Sequence, residues 1–416
     1  MTRQHLLGFA LASLCASFSA NAASVLIRNA TVHTQTSAGV LKGTDVLIED
    51  GVISAIGAGL AAGDAQVIDA KGQPLTPGLF GGLSNLGVHE IGLDPSTEDG
   101  TLHMNAMRPE FDVTRAYNPD SVIVGVNRVG GITFTAVVPV PGEGGSIIAG
   151  EGAIVQLDGT PRTHSRILYV QVGGAANELS GGSRAGQFML LRQAIFEARN
   201  PNAYAEGDER LLTPFGRKVL KEFLDGAGVI LFEVDRAADI RQVLDLAKRE
   251  KLRIALAGAA EGWRVASELA SAKVPVLIDG LENLPNSFDS IGATLENAAR
   301  MEKAGVRVAF TMDSVEPHNL RKLRQAAGNA VAHGMSWDAA LAGITRVPAE
   351  IFGVNERVGA IERGRRADLV LWSGDPLEVT SLAQRVFVDG ALQSDRSRQT
   401  DLRDRYVERV RNGNAR

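Results

Sequence analysis

From Val229 onward, apolar runs of four to six residues alternate with stretches of helical period. The run 229–234 leads to a helix at 236–250, and 254–257 to one at 262–273. In the same way 274–278 precedes a helix near 289–304, and 306–311 precedes one near 317–334. Short continuous apolar strands between helices predict βα units around a parallel sheet, because such a sheet is covered on both faces. Upstream, 132–138 and 167–172 have the same strand character, and 77–86 and 154–157 bring the count to eight. That number fits an α/β chain folded as a TIM-like (β/α)8 barrel of about 250 residues. A doubly wound open sheet satisfies the same pattern.

The two ends have a different rhythm. Val25-Leu26-Ile27, Ala30-Thr31-Val32, Asp45–Glu49 and Val52–Ile56 are short β runs, the last two joined by Asp50-Gly51. Asp-Gly between β-rich runs predicts a tight hairpin, since both central residues adopt positive φ. Short β runs return at 357–361, 367–372 and 385–390. The expected organisation is a small composite β-sandwich built from 23–76 and 355–392, enclosing a barrel at 77–354. In the charged tail, 393–416, Leu402, Tyr406 and Val410 recur every four residues, which predicts an amphipathic helix docked on the body.

At the start, Arg3 and His5 precede an apolar run over 6–15, and Ala20-Asn21-Ala22 offers a small-x-small site. This predicts a signal peptide, 1–22, cut after Ala22, and a periplasmic or secreted protein. Ten apolar residues are too few to span a bilayer as a helix, which takes about 20. The one cysteine, Cys15, would leave with the signal, so neither a disulfide nor a thiol nucleophile is expected. Forty-three basic against 48 acidic residues give a net charge of −5, without the basic excess of a nucleic-acid binder. No membrane partner is expected beyond the signal.

Several motifs occur in a meaningful order: Asp50-Gly51-Val52-Ile53, Pro77-Gly78-Leu79, Gly131-Ile132-Thr133 and Thr311-Met312-Asp313-Ser314. Gly359-Ala360-Ile361, Ala367-Asp368-Leu369-Val370-Leu371-Trp372 and Gly374-Asp375-Pro376-Leu377 follow. With these residues the chain resembles the amidohydrolase superfamily, particularly its exported imidazolonepropionase-like members. The resemblance implies a metal-dependent-hydrolase barrel and cleavage of C–N bonds in cyclic amides, imines or peptide-like substrates. In that family a Zn²⁺ or similar ion polarises the carbonyl and activates a water at the C-terminal rim of the barrel.

The resemblance also shows where this chain departs. The family takes two metal ligands from a His-x-His pair on the first strand, and here Leu83 and Asn85 stand in those places. Leucine has no lone pair, and a neutral amide is a poor zinc ligand. No lysine is present at 167–172 to become a carbamylated bridge, and Glu233 replaces the histidine that should end the fifth strand. Asp313 alone is retained, at the position where the family's carboxylate contacts the metal and takes a proton from the attacking water. It is the catalytic candidate, or a structural acid beside Ser314.

Glu233, Glu261, Asp279 and Asp313 all fall at strand C-termini, either as an oxygen-ligand site for Mg²⁺, Mn²⁺ or Ca²⁺ or as helix-capping carboxylates. Asn85, Glu233 and Asp313 are the candidate rewired metal site, with Zn, Mn or Mg as the ion. His89, His103 and His318 are the histidines that could gather at the rim, while His164 and His333 read as structural. The glycine-rich stretch 142–146 matches no phosphate-binding motif and reads as a rim loop, and neither Ser84 nor Ser183 sits in a nucleophile elbow. Two functions stay open. One is a silent member that binds a small-molecule or peptide-like ligand, or partners an active relative as an oligomer. The other is a divergent C–N hydrolase using Asp313.

Overall fold

A computed structural model describes residues 24–91, 94–203, 209–312, 317–411 and 413. The expected signal peptide and Asp313 lie outside these described residues. Five strands open the chain: β1 (Val25–His33), β2 (Val40–Glu49), β3 (Val52–Gly57), β4 (Gln66–Asp69) and β5 (Pro74–Pro77). Asp50 and Gly51, with φ of 50° and 80°, make the tight turn between β2 and β3 that Asp-Gly predicts.

Eight strands then form the barrel: β6 (Leu79–Ser84), β7 (Ile132–Val137), β8 (Ile148–Gln156) and β9 (Thr163–Gln171) come first. β10 (Val229–Val234), β11 (Ile254–Gly258), β12 (Val276–Asp279) and β13 (Val308–Thr311) complete it. Their order in the sheet is their order in the chain. The wall nearly closes where the Leu83 N–H donates to Thr311 Oγ1 at 3.0 Å. Gly82, at φ +86°, permits that approach, because a Cβ there would lie 3.3 Å from the Thr311 Cα.

One strand departs from the expected parallel wall. β8 runs antiparallel to both β7 and β9, while the other neighbouring pairs are parallel. The links 138–147 and 157–162 are too short for a parallel crossover, which takes about a dozen residues or more. Three further expectations are corrected. The segment 357–361 is not a strand: Gly359 turns at φ +90° against Thr345 and Ala349, and Ile361 hydrogen-bonds to Thr34. The helices after β11, β12 and β13 are shorter than their apolar period suggests, each entered through a 3-10 turn. The tail helix forms, at Arg398–Arg411, but buries nothing, with Leu402, Tyr406 and Val410 exposed by 37%, 58% and 69%. A helix made so largely of charged residues gains more from water than from docking.

The closing strands, β14 (Leu369–Trp372), β15 (Ala383–Val388) and β16 (Ala391–Leu392), join β5, β1, β2 and β3 in one sheet. That sheet bends back on itself through a Val52–Arg366 bridge, around a core that includes Ile27, Ile48, Ile53, Leu75, Leu369 and Phe387. It packs beneath the barrel's N-terminal end. Trp372 donates from its indole to Thr76 Oγ1 at 2.9 Å and lies against Gly131, where a Cβ would meet the ring at 2.8 Å.

Candidate functional site

The C-terminal ends of β6, β9, β10, β11 and β13 converge on a cavity of about 370 Å³. Leu83, Ser84, Asn85, Tyr169, Gln171, Glu233, Ala257 and Thr311 line it from the strand ends, with His89, the segment 138–141, Met312 and Pro317 around the mouth. Alternation along the parallel strands explains the selection: Tyr169 and Gln171 sit two apart on β9, so both project to one face, and Gln171 pairs in register with Glu233.

Glu233 is fixed from its neighbours. Its Oε2 accepts from the Tyr169 hydroxyl at 2.9 Å and from Gln171 Nε2 at 2.8 Å. On the opposite wall Asn85 Nδ2 donates to His89 Nδ1 at 2.8 Å, which places the imidazole proton on Nε2, 3.6 Å from Glu98 Oε1. Thus Leu83, Asn85 and Glu233 do come to one cavity. Asp313 follows Met312 in the chain and lies outside the described residues.

The remaining candidates separate. Glu261 accepts from the backbone N–H of Ala237 at 3.0 Å and of Gly292 at 3.1 Å, so it ties the start of the helix Ala237–Glu250 to the rim segment at Gly292. Asp279 accepts from the Leu281 N–H at 2.8 Å. His103 bonds the Glu143 carbonyl at 2.6 Å, and the Asn105 N–H donates to the Gly144 carbonyl at 2.6 Å, pinning the glycine-rich stretch to its neighbour. His318 lies in the 3-10 turn after β13, His333 bonds the Asn329 carbonyl, and His164 lies on the far end of β9, where burial lowers its pKa. Ser84 bonds Thr135, and Ser183 precedes the helix Arg184–Arg199.

A water-activating zinc normally takes three protein ligands and keeps an open position. Here the rim offers a hydrocarbon at 83, an amide already bonded to His89 at 85, Gln171 on β9 and Ala257 on β11. Among the described residues no group of three or more His, Cys, Asp or Glu could hold a metal ion. The described donors therefore do not fit that group.

Sequence reasoning missed Tyr169 and Gln171. Their signal was available: polar residues two apart near the end of an apolar strand have no place in a dry interior. It also left unexplained the motif residues of the C-terminal run, which prove to be structural. Asp368 forms a bidentate pair with Arg366 at 2.9–3.0 Å, both buried. Asp375 accepts from the Trp337 indole at 2.9 Å and from the Leu377 N–H at 2.9 Å. The buried Arg324 guanidinium gathers the carbonyls of Pro376, Glu378 and Ser381 at 2.5–2.9 Å. The shared motifs fasten the two sheets together, while the cavity above them has its own chemistry.

Comparison with known proteins bears on the fold and the family. A family model described as "Amidohydrolase family" matches residues 237–397. Amidohydrolase tasK of Hapsidospora irregularis is 22% identical over 394 residues, which is 84% of this chain but 40% of tasK. An imidazolonepropionase of Acidiphilium cryptum is 38% identical over 84 residues, 20% of this chain and 21% of that protein. The chain thus spans well under two thirds of the length of these relatives. The crystal structure of an amidohydrolase from Thermotoga maritima superposes with a TM-score of 0.80 at 26% identity, over 89% of this chain and all of that one. With this barrel, this β domain and these motifs in family order, the chain belongs to the amidohydrolase superfamily.

Proposed function

We propose that this chain is a catalytically silent amidohydrolase-superfamily protein that binds a small ligand at the barrel rim. The observation that carries the reading is the cavity wall itself, where Leu83, Asn85, Gln171, Glu233 and Ala257 stand where a metal centre would need converging lone pairs. The organic side chains there are already hydrogen-bonded to one another, which suits a preorganised binding pocket. The reading includes export to the periplasm, on the pattern of residues 1–22, and assembly with an active relative.

A second reading, a divergent C–N hydrolase with a rewired ion, draws on one observation: Asn85 and Glu233 face the same cavity that Met312 borders, one residue before Asp313. Elemental analysis of purified mature protein separates the two. The silent reading expects no stoichiometric transition metal and a melting temperature unchanged by chelator. Near-stoichiometric Zn, Mn or Ni that disappears in Asp313→Ala would overturn it in favour of the hydrolase.

A further inference from the structure

We infer that a cleft between the β domain, the barrel and the tail helix binds a small amphipathic anion, an alkyl or aryl group carrying a sulfonate, carboxylate or phosphate. It shares no lining residue with the rim cavity, so it does not depend on how that cavity is read. The cleft measures about 1020 Å³. Its walls are the turn after β4, the end of the helix Val122–Arg128, the segment 321–325, the link into β15 and the start of the tail helix. Lys71, Arg321, Lys322, Arg324, Arg385 and Arg403 line it, against two acids, Asp69 and Asp395. The excess is local, because the whole chain carries a net −5. Arg324 is buried over the Trp372 ring, 5.4 Å from its centroid, and its hydrogen bonds go to carbonyls, which leave its charge in place. Arg403 pairs with Asp404 at 2.6 Å, but Lys71, Arg321, Lys322 and Arg385 form no ion pair among the described residues. An anion entering there is drawn in by the summed field and meets ammonium and guanidinium donors, whereas a cation is repelled.

The floor and the far wall call for hydrocarbon. Val126 and Val129 line the barrel side, Ile68 and Leu371 the sheet side, and Leu382 stands 67% exposed at the edge. The tail helix supplies the opposite wall: Gln399 and Arg403 line the cleft, and Gln399 accepts from Arg321 at 2.6 Å. Leu402, Tyr406 and Val407 lie three or four residues along from these two, which puts them on the same side of the helix. The apolar stripe that finds no partner on the body therefore borders the cleft. An amphiphile answers both features, since its anionic head meets the cations and its hydrocarbon covers Leu382 and the stripe. An acidic peptide would leave that surface wet, and a neutral hydrocarbon would leave the charge excess unanswered. A volume at the upper end of ordinary ligand pockets admits a fused ring system or a medium-length alkyl chain.

The test is fluorescence titration of the purified protein with anilinonaphthalene sulfonate, beside N-phenylnaphthylamine, which has the same rings without the charge. Hexaglutamate serves as a competitor with the charge and no rings. The sulfonate is expected to bind a single site with a Kd below about 100 µM, at least about tenfold more tightly than the neutral amine. Equimolar hexaglutamate should not displace it. Lys71→Glu with Lys322→Glu should weaken the sulfonate about tenfold or more. Lys248→Glu with Lys273→Glu makes the same change in net charge at a different cleft and should leave binding unchanged. Deleting residues 396–416 should weaken binding at least about threefold with the circular dichroism spectrum of the body retained. No saturable binding, equal binding of the neutral amine, indifference to the Lys71 and Lys322 reversal or to the deletion, or a loss in the Lys248 and Lys273 variant would overturn the inference. Displacement by hexaglutamate would overturn it in favour of an acidic peptide, and a dimer split by the Lys71 and Lys322 reversal in favour of a second copy. None of these results bears on metal content, on which the silent-protein reading turns.

Discussion

Replacing Arg366 by methionine should be among the most damaging single changes to this fold. The Arg366 side chain is 7% exposed and that of Asp368 is 1% exposed, and the two meet through paired hydrogen bonds of 3.0 and 2.9 Å. Arg366 also bonds Gln156 at the lower end of β8 and lies 3.9 Å from Asp158 and 3.8 Å from Asp389. Arg366→Met would leave a buried carboxylate with only the Asp389 N–H, at 2.8 Å, as a partner. Breaking a buried pair in this way costs about 3–5 kcal/mol. At about 2.1 cal/mol/K of unfolding entropy per residue, a chain of this size would lose roughly 3–6 °C in Tm.

The loss should depend on pH with a definite sign. Burial pushes the Asp368 carboxyl above its ordinary pKa, against the opposing pull of Arg366 and the Asp389 N–H, and removing Arg366 pushes it further. A raised folded-state pKa means that the native state holds the proton more tightly than the unfolded chain. The penalty is therefore absent below the ordinary carboxylate pKa and grows as pH rises through the raised value. Urea melts of wild type, Arg366→Met and Arg366→Met with Asp368→Asn, at pH 7 and about pH 5, measure this. The single variant's deficit should shrink at the lower pH, and the added Asp368→Asn should recover at least half of it. A deficit below about 1 kcal/mol, or one indifferent to both pH and Asp368→Asn, would refute the reasoning.

Glu261→Ala should cost about 2–5 kcal/mol, because it strips the acceptor from two N–H groups, one at the start of the helix Ala237–Glu250 and one at Gly292, and Glu261→Gln should recover about half. Chemical denaturation reads both, and a change within error for the alanine variant would contradict the tie between the helix start and Gly292. Deleting residues 396–416 should shift stability by no more than about 0.5 kcal/mol, since the tail helix buries no residue and Gln399 supplies a hydrogen bond to Arg321. A loss above about 2 kcal/mol would place that helix in the folding unit.

Much of the barrel was legible because its strongest elements obey one local rule each. The run 229–234 is β10 residue for residue, and its helix, Ala237–Glu250, begins one position later than its apolar period suggests. The reversed strand was misread because parallel and antiparallel buried strands have the same composition. The distinguishing signal lay in the turn: Asp158-Gly159 repeats the pair found at 50–51, with Gly159 at φ +81°. The tail helix shows the opposite failure, in which period predicts a helix but not a partner for its face. At the rim, residue chemistry identified Leu83, Asn85 and Glu233 as the departures from the family. That Tyr169 and Gln171 secure Glu233 depends on strand register, which single residues do not encode.

The meander of β7, β8 and β9 gives the barrel an uneven order of assembly. These three strands are neighbours along the chain as well as across the sheet, so they can pair after closing only short loops. The seam between β6 and β13 joins residues 228 positions apart and has to wait for nearly everything between them. The cylinder is then zipped from one wall outward, and its last-formed contact, at Gly82 and Thr311, borders the pocket. In hydrogen-exchange pulse labelling, amides of 132–171 should gain protection before those of β6 and β13. A late seam beside a binding cavity means that whatever fills the cavity also holds the zip shut.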